Sequence, residues 1–194
     1  MGNSHHHEHS HVAVTAKNAK KLSIALGLTT TFLIVEVIAG FLTQSLALLS
    51  DAAHMFTDAA ALAIALVAIK IGQKPADNKR TFGYQRFEIL AALFNALMLF
   101  VVAIYILFEA YQRLSHPPEI QSLGMMIVAV LGLIINLISM KILVSSSQES
   151  LNVKGAYLEV LSDALGSVGV IIGALVIYFT GWMWIDTFIA VLIG

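Results

Sequence analysis

Leu48-Leu49-Ser50-Asp51-Ala52-Ala53-His54-Met55-Phe56-Thr57-Asp58 is the stretch whose reading decides this fold. It lies inside an apolar segment that runs from about Leu46 to Ile71. On a helix, spacings of three, four and seven place Asp51, His54 and Asp58 on one face. Ionisable groups in a long apolar helix are costly, so they need partners or a cation. The rest of the chain can be searched for those partners and for the bundle that encloses them.

Of the 194 residues, 58% are hydrophobic and 12% charged. A soluble domain carries about 25% charged residues. Several apolar runs reach the roughly 20 residues that a helix needs to cross a bilayer. The fold class that follows is all-α, a polytopic bundle of six transmembrane spans embedded in lipid, with the last span truncated. A net charge of −1 gives no sign of a nucleic-acid partner, and no secretory signal is visible. Cysteine is absent, which removes disulfides and thiolate ligands from consideration.

Residues 1–16, with His5, His6, His7, Glu8, His9 and His11, read as a disordered, His-rich cytoplasmic tail or as a tag remnant. Residues 17–194 read as the transmembrane domain. The first span is expected over Leu22–Leu42 and contains Glu36. The break Thr43-Gln44-Ser45 is short enough to make spans one and two a tight hairpin. A polar segment from Lys74 to Arg86 follows, opened by Pro75. The third span covers Phe87–Arg113, and Glu88 and Glu109 near its ends read as solvated surface groups. Leu123–Leu143 is the fourth span, with Asn136 and Ser139 inside it.

Leu151–Phe179 forms the fifth span. It carries Glu159 and Asp163, and a face of Ser162, Gly166, Gly169 and Gly173 suited to close helix packing. Trp182 and Trp184 follow as interfacial aromatics. A sixth apolar run starts near Ile185 and ends at Gly194, too short to cross a bilayer. With the N-terminus on the cytoplasmic side, ten of the 11 Lys and Arg residues fall inside and Arg113 outside.

His54 and Asp58 are four apart on span two, as are Glu159 and Asp163 on span five. The two spans run in opposite directions. Antiparallel packing therefore sets His54 level with Asp163, and Asp58 level with Glu159. Each pair lies roughly 15 Å from its helix end at 1.5 Å per residue, near the middle of a ~30 Å hydrocarbon layer. One imidazole and three carboxylates provide the four positions of a tetrahedral zinc site, and the same donors suit Co²⁺ or Cd²⁺. Protons compete with metal for those donors, so metal–proton exchange is expected. Asp51, one turn away, reads as a supporting or pathway group. Glu36 and Asn136 read first as packing groups, with a pathway role as the lesser alternative.

Ser50-Asp51-Ala52-Ala53-His54-Met55-Phe56-Thr57-Asp58 resembles the second-span signature of the cation diffusion facilitator family. Thr81-Phe82-Gly83-Tyr84-Gln85-Arg86-Phe87-Glu88-Ile89 with Phe94-Asn95, and Gly155-Ala156-Tyr157 through Asp163, resemble its third- and fifth-span signatures. The similarity runs from Leu22 to the end and is closest to the bacterial zinc, cobalt and cadmium resistance exporters. It implies a proton-coupled exporter of divalent metal, a homodimer in the bacterial inner membrane, and His54, Asp58, Glu159 and Asp163 as the transport ligands. It implies no prosthetic group, the metal being cargo. Many zinc members carry histidine in place of Glu159, so a broader metal range is expected here. Some members bind a second metal through histidine in the loop between spans two and three, where this chain offers only Asp77. A cytoplasmic domain usually follows the spans in this family and is absent from this chain. Two readings compete with transport. A membrane-embedded metalloenzyme lacks a motif such as His-Glu-x-x-His, and a channel would build its pore from rings across subunits.

Overall fold

The computed structural model describes the backbone of residues 6–72, 86–148 and 151–193, and side chains within 20–60, 93–148 and 153–193. Six helices follow one another: α1 (His6–Thr43), α2 (Leu46–Gly72), α3 (Arg86–Ser115), α4 (Ser122–Leu143), α5 (Leu151–Thr180) and α6 (Trp184–Ile193). Among the described residues, four helical segments are long and apolar enough to cross a membrane: Lys20–Thr43, Leu93–Ser115, Ser122–Leu143 and Val153–Thr180. α6 is shorter. α1 continues back to His6, through stretches where the composition suggests a disordered tail. Once a span has nucleated a helix, each added residue gains a hydrogen bond at little cost. The loop holding Asp77 lies outside the described residues.

α4 packs on α5 and on α1, while α2 packs on α1, α3 and α6 and meets α5 only narrowly. Close approach is bought by glycine in two places. The ring of Phe32 on α1 occupies the space where a Cβ on Gly132 of α4 would stand, at 2.6 Å. At the tip of the first hairpin, Leu49 of α2 sits 2.7 Å from the same position on Gly40 of α1. The hairpin turns through Gln44, which takes a left-handed φ of 60°.

The ends of several helices are tied together beneath that turn. The Asp186 carboxylate, on the first turn of α6 and with no exposed surface, accepts hydrogen bonds from Ser45 Oγ (2.6 Å), Leu46 N (2.6 Å) and Ala47 N (3.2 Å). Leu48 N donates to Ser45 Oγ (3.2 Å) and Leu49 N to Ser45 O (3.4 Å). A helix begins with four amides that lack intrahelical partners, and here all four of α2 find one. Arg113 at the end of α3 lies 3.7 Å from Asp186, donates to Gln44 O (2.7 Å) and pairs with Glu109 (2.9 Å). Glu109, expected as a solvated group, is thus drawn into an ion pair by a buried arginine. Gln121 N donates to Thr43 O (3.0 Å), which adds α4 to the tie.

At the opposite end, Lys21 of α1 donates to Ser146 Oγ (2.9 Å) and Ser145 Oγ in the turn after α4. Trp182 and Trp184 stack with ring centres 5.7 Å apart beside Gly181, where the chain turns at φ 71°.

Candidate metal site

α2 offers its polar face in three successive steps. Asp51 is buried, and His54 and Asp58 are half-buried, with His54 Nε2 3.6 Å from Asp58 Oδ2. Thr57 turns its hydroxyl onto His54 O (2.7 Å), so no second polar side chain competes for the imidazole from that position. On α5, Asp163 is buried and Glu159, one turn nearer the helix start, is exposed. Ser167 Oγ bonds to Asp163 O (2.9 Å), leaving the Asp163 carboxylate free of that hydroxyl.

The register between α2 and α5 is set where Asp51 Oδ1 stands 3.3 Å from the Cβ position of Gly166. On antiparallel helices this puts His54 level with Asp163 and Asp58 level with Glu159, as the sequence spacing predicts. Asp58, Glu159 and Asp163 line one cavity of about 50 Å³, together with Thr29, Thr30 and Met55. One water needs about 10–15 Å³ of such space, so the cavity has room for a small ion and some of its hydration. Each carboxylate lies in the field of the others: Glu159 in that of Asp58, and Asp163 in those of Asp51, Asp58 and Glu159. Among the described residues, no three His, Asp or Glu side chains stand close enough to grip a single ion.

A second cavity, of about 260 Å³, lies on the other side of Asp163 and is bordered by Asp51, His54, Ser162, Gly166 and Gly169. The small residues of α5 were expected to pack against a neighbouring backbone. Gly173 does meet Ile189, but a Cβ on Gly169 would touch nothing within 4 Å. Ile189, Leu192 and Ile193 of α6 border this cavity together with Gly166 and Gly169.

The three remaining candidates are fully enclosed. Glu36 (1% exposed) and Asp51 (2%) meet in hydrogen-bonding contact, and Glu36 Oε2 is left without a partner. Asn136 on α4 is buried, and its Oδ1 is unpaired, as is the Ser139 hydroxyl. Gly132 faces Ser167 across the α4–α5 contact. One turn along both helices, that register sets Asn136 level with Asp163. Sequence reading overlooked Thr29 and Thr30, which border the cavity, and Asp186, a lone carboxylate entering the sixth apolar run. The signal for Asp186 was present: an acid in hydrocarbon needs a partner, and Arg113 was the one basic residue assigned to the outer side.

Residues 22–194 match the cation efflux transmembrane domain family. The chain is 67% identical, over its whole length, to the metal cation efflux system protein CzcD of Cupriavidus metallidurans, of which it covers 60%. It is 45% identical over 195 aligned residues to the zinc transporter ZitB of Escherichia coli, covering 62% of that protein. With the cadmium, cobalt and zinc/H(+)-K(+) antiporter of Bacillus velezensis it shares 44% identity over 190 residues, 97% of this chain and 60% of the relative. The chain therefore spans about 60% of the length of these curated relatives. A multi-pass helical membrane bundle, signature residues on facing helices and a family match over residues 22–194 lead to one assignment: this chain belongs to the cation efflux, or cation diffusion facilitator, family.

Proposed function

We propose that the protein exports divalent metal ions, zinc with cadmium and cobalt, from the cytoplasm in exchange for protons. The observation that carries this reading is the cavity shared by Asp58 of α2 and Glu159 and Asp163 of α5, with His54 beside it. Three anionic oxygen donors and one imidazole neutralise and hold a divalent cation, and the same donors take protons when the metal leaves. The names of the relatives cited above, which speak of metal cation efflux, zinc transport and antiport, support that direction.

Burial around the site supports alternating access. Exposure falls from Glu159 through Asp58 to Asp163 and then to Glu36 and Asp51. Beyond them lie Leu46, Ala47 and Leu48, none with any exposed surface. In the orientation favoured by the basic residues, the site opens toward the cytoplasm and is sealed from the outside. The ion enters past Glu159 and is gripped as α2 and α5 approach. It leaves on the far side once the outer seal opens, and protons take its place. Asp51, Glu36 and Asn136 line the far side of this route. The working unit is a homodimer in the bacterial inner membrane, with the N-terminus in the cytoplasm.

A membrane metalloenzyme has no comparable support, since the family and its named relatives are transporters. Zinc uptake into proteoliposomes, measured with and without an imposed pH gradient, tests the proposal. Uptake driven by the gradient and slowed by protons on the metal-loading side is the expected result. Uptake indifferent to the gradient removes proton exchange, and no uptake of any of the three metals removes the transport reading.

A further inference from the structure

Four lysines stand where three apolar spans end on one face of the bundle. Lys20 and Lys21 open the apolar segment of α1, Lys141 lies in the last turn of α4, and Lys154 in the first turn of α5. Ala25, one turn beyond Lys21, shares a buried apolar cluster with Leu143 and Val153. That packing brings the three helix ends, and the lysines they carry, to one rim. Among the described residues, the ion pairs involve His54, Arg113 and their acids, and none involves these lysines. Lys21 instead donates to two hydroxyls, Ser146 Oγ at 2.9 Å and Ser145 Oγ. A hydroxyl that accepts from an ammonium still has its own proton to give, and Ser145 is exposed. The rim gathers positive charge and an O–H donor around no anion of its own.

We propose that this rim binds the phosphodiester headgroup of an anionic phospholipid, with Lys21 and Ser145 at its centre and Lys20, Lys141 and Lys154 around them. The occupant follows from position and charge. Each lysine stands at the end of an apolar span, the level at which lipid headgroups lie in a bilayer. Lysine holds phosphate as a point charge, and basic clusters between spans take anionic headgroups. The positive end of the α5 dipole lies at the same rim, and its first turn carries no acid to offset it. None of this depends on which ion the bundle carries.

The test is equilibrium binding of labelled phosphatidylglycerol and phosphatidylcholine to the purified full chain in uncharged detergent micelles. Phosphatidylglycerol should bind saturably and at least about fivefold more tightly than phosphatidylcholine, the scale of one lysine facing an anionic headgroup. The difference should shrink as salt is raised. Equal binding of the two lipids by the parent overturns the proposal, whatever any variant does. Inorganic phosphate that competes as well as unlabelled phosphatidylglycerol overturns the lipid as the occupant.

Substitutions then place the site. Lys154 is exposed, and Lys154→Gln should weaken phosphatidylglycerol binding about fivefold with no change in elution on size exclusion. Lys21→Gln should weaken it at least as much, and Lys21→Arg should retain it. Lys79→Gln/Arg80→Gln, in the segment between α2 and α3, should leave binding as in the parent. A loss there equal to that of Lys154→Gln overturns the proposal, because overall charge rather than this rim would then hold the lipid.

Discussion

Asp186 on one side, and Asp58, Glu159 and Asp163 on the other, stand a few turns apart in this bundle and are treated in opposite ways. Asp186 has four partners: a hydroxyl, two amides and a guanidinium. Asp58, Glu159 and Asp163 have one another, a half-exposed histidine and a cavity. Burying a charge is tolerable only when its hydrogen bonds and its charge are answered. Around Asp186 the protein answers them with its own groups, and the result is a fixed joint. Around the other three the protein supplies fewer partners of its own, which fits the proposed role of binding a cation. In the proposed reading, that difference marks Asp186 as an anchor and the other three as ligands.

The contrast breaks first at the ligands. Asp58→Ala should reduce zinc transport to background in vesicles while the protein still inserts and elutes as the parent does by size-exclusion chromatography. Retained uptake would remove Asp58 from the site. The anchor should behave differently. Asp186→Ala leaves Arg113 with Glu109 as its acidic partner but two buried amides of α2 unpaired, a loss on the order of 3 kcal/mol by the usual cost of leaving buried donors unsatisfied. Thermal unfolding in detergent checks this, and a midpoint no lower than that of Asp163→Asn would erase the distinction.

A subtler change tests the chemistry of the site alone. Glu159→His exchanges an oxygen donor for a nitrogen donor at the exposed edge and should shift preference toward zinc over cadmium, on the order of tenfold. Competition transport assays read that shift, and an unchanged ranking would exclude Glu159 from setting selectivity. The smallest effect is expected from Ser50→Ala, which removes one hydrogen bond between α2 and α6 and costs about 1 kcal/mol. A loss as large as that of Asp186→Ala would mean that the joint is centred one turn lower than Asp186.

Much of this architecture was legible in the residues. Helix limits such as Leu46–Gly72 and Ser122–Leu143 fall within a residue or two of the apolar runs, because in lipid the hydrophobic length sets the helix length. The pairing of His54 with the level of Asp163 followed from the spacing of four on antiparallel helices. Other features depended on contacts between distant parts of the chain. Asp186 meets donors about 140 residues earlier in the sequence, and no local pattern announces such a partner. Glu109 looked solvated because it lies near a span end, and only the bundle shows that its partner Arg113 turns inward to Gln44 and Asp186. The glycines of α5 illustrate a limit of composition. Small residues permit close contact, as at Gly173 against Ile189, but do not by themselves say which neighbour will meet them.

The lysine at the other end of the molecule adds a mechanical consequence. Lys21 fastens α1, near the start of its apolar span, to the turn between α4 and α5, whereas Asp186 fastens α2 and α6 at the far end. α2 also packs on α1 and α3, and a tilt about its gripped end is felt further along the helix. His54 stands eight residues below Leu46, an arm of about 12 Å at 1.5 Å per residue, and a rotation of about 5° about that grip carries the imidazole by about 1 Å. Metal–ligand bonds are defined to within about 0.2 Å. If His54 is a ligand as proposed, a small angular change at the Asp186 end is therefore enough to make or break coordination there.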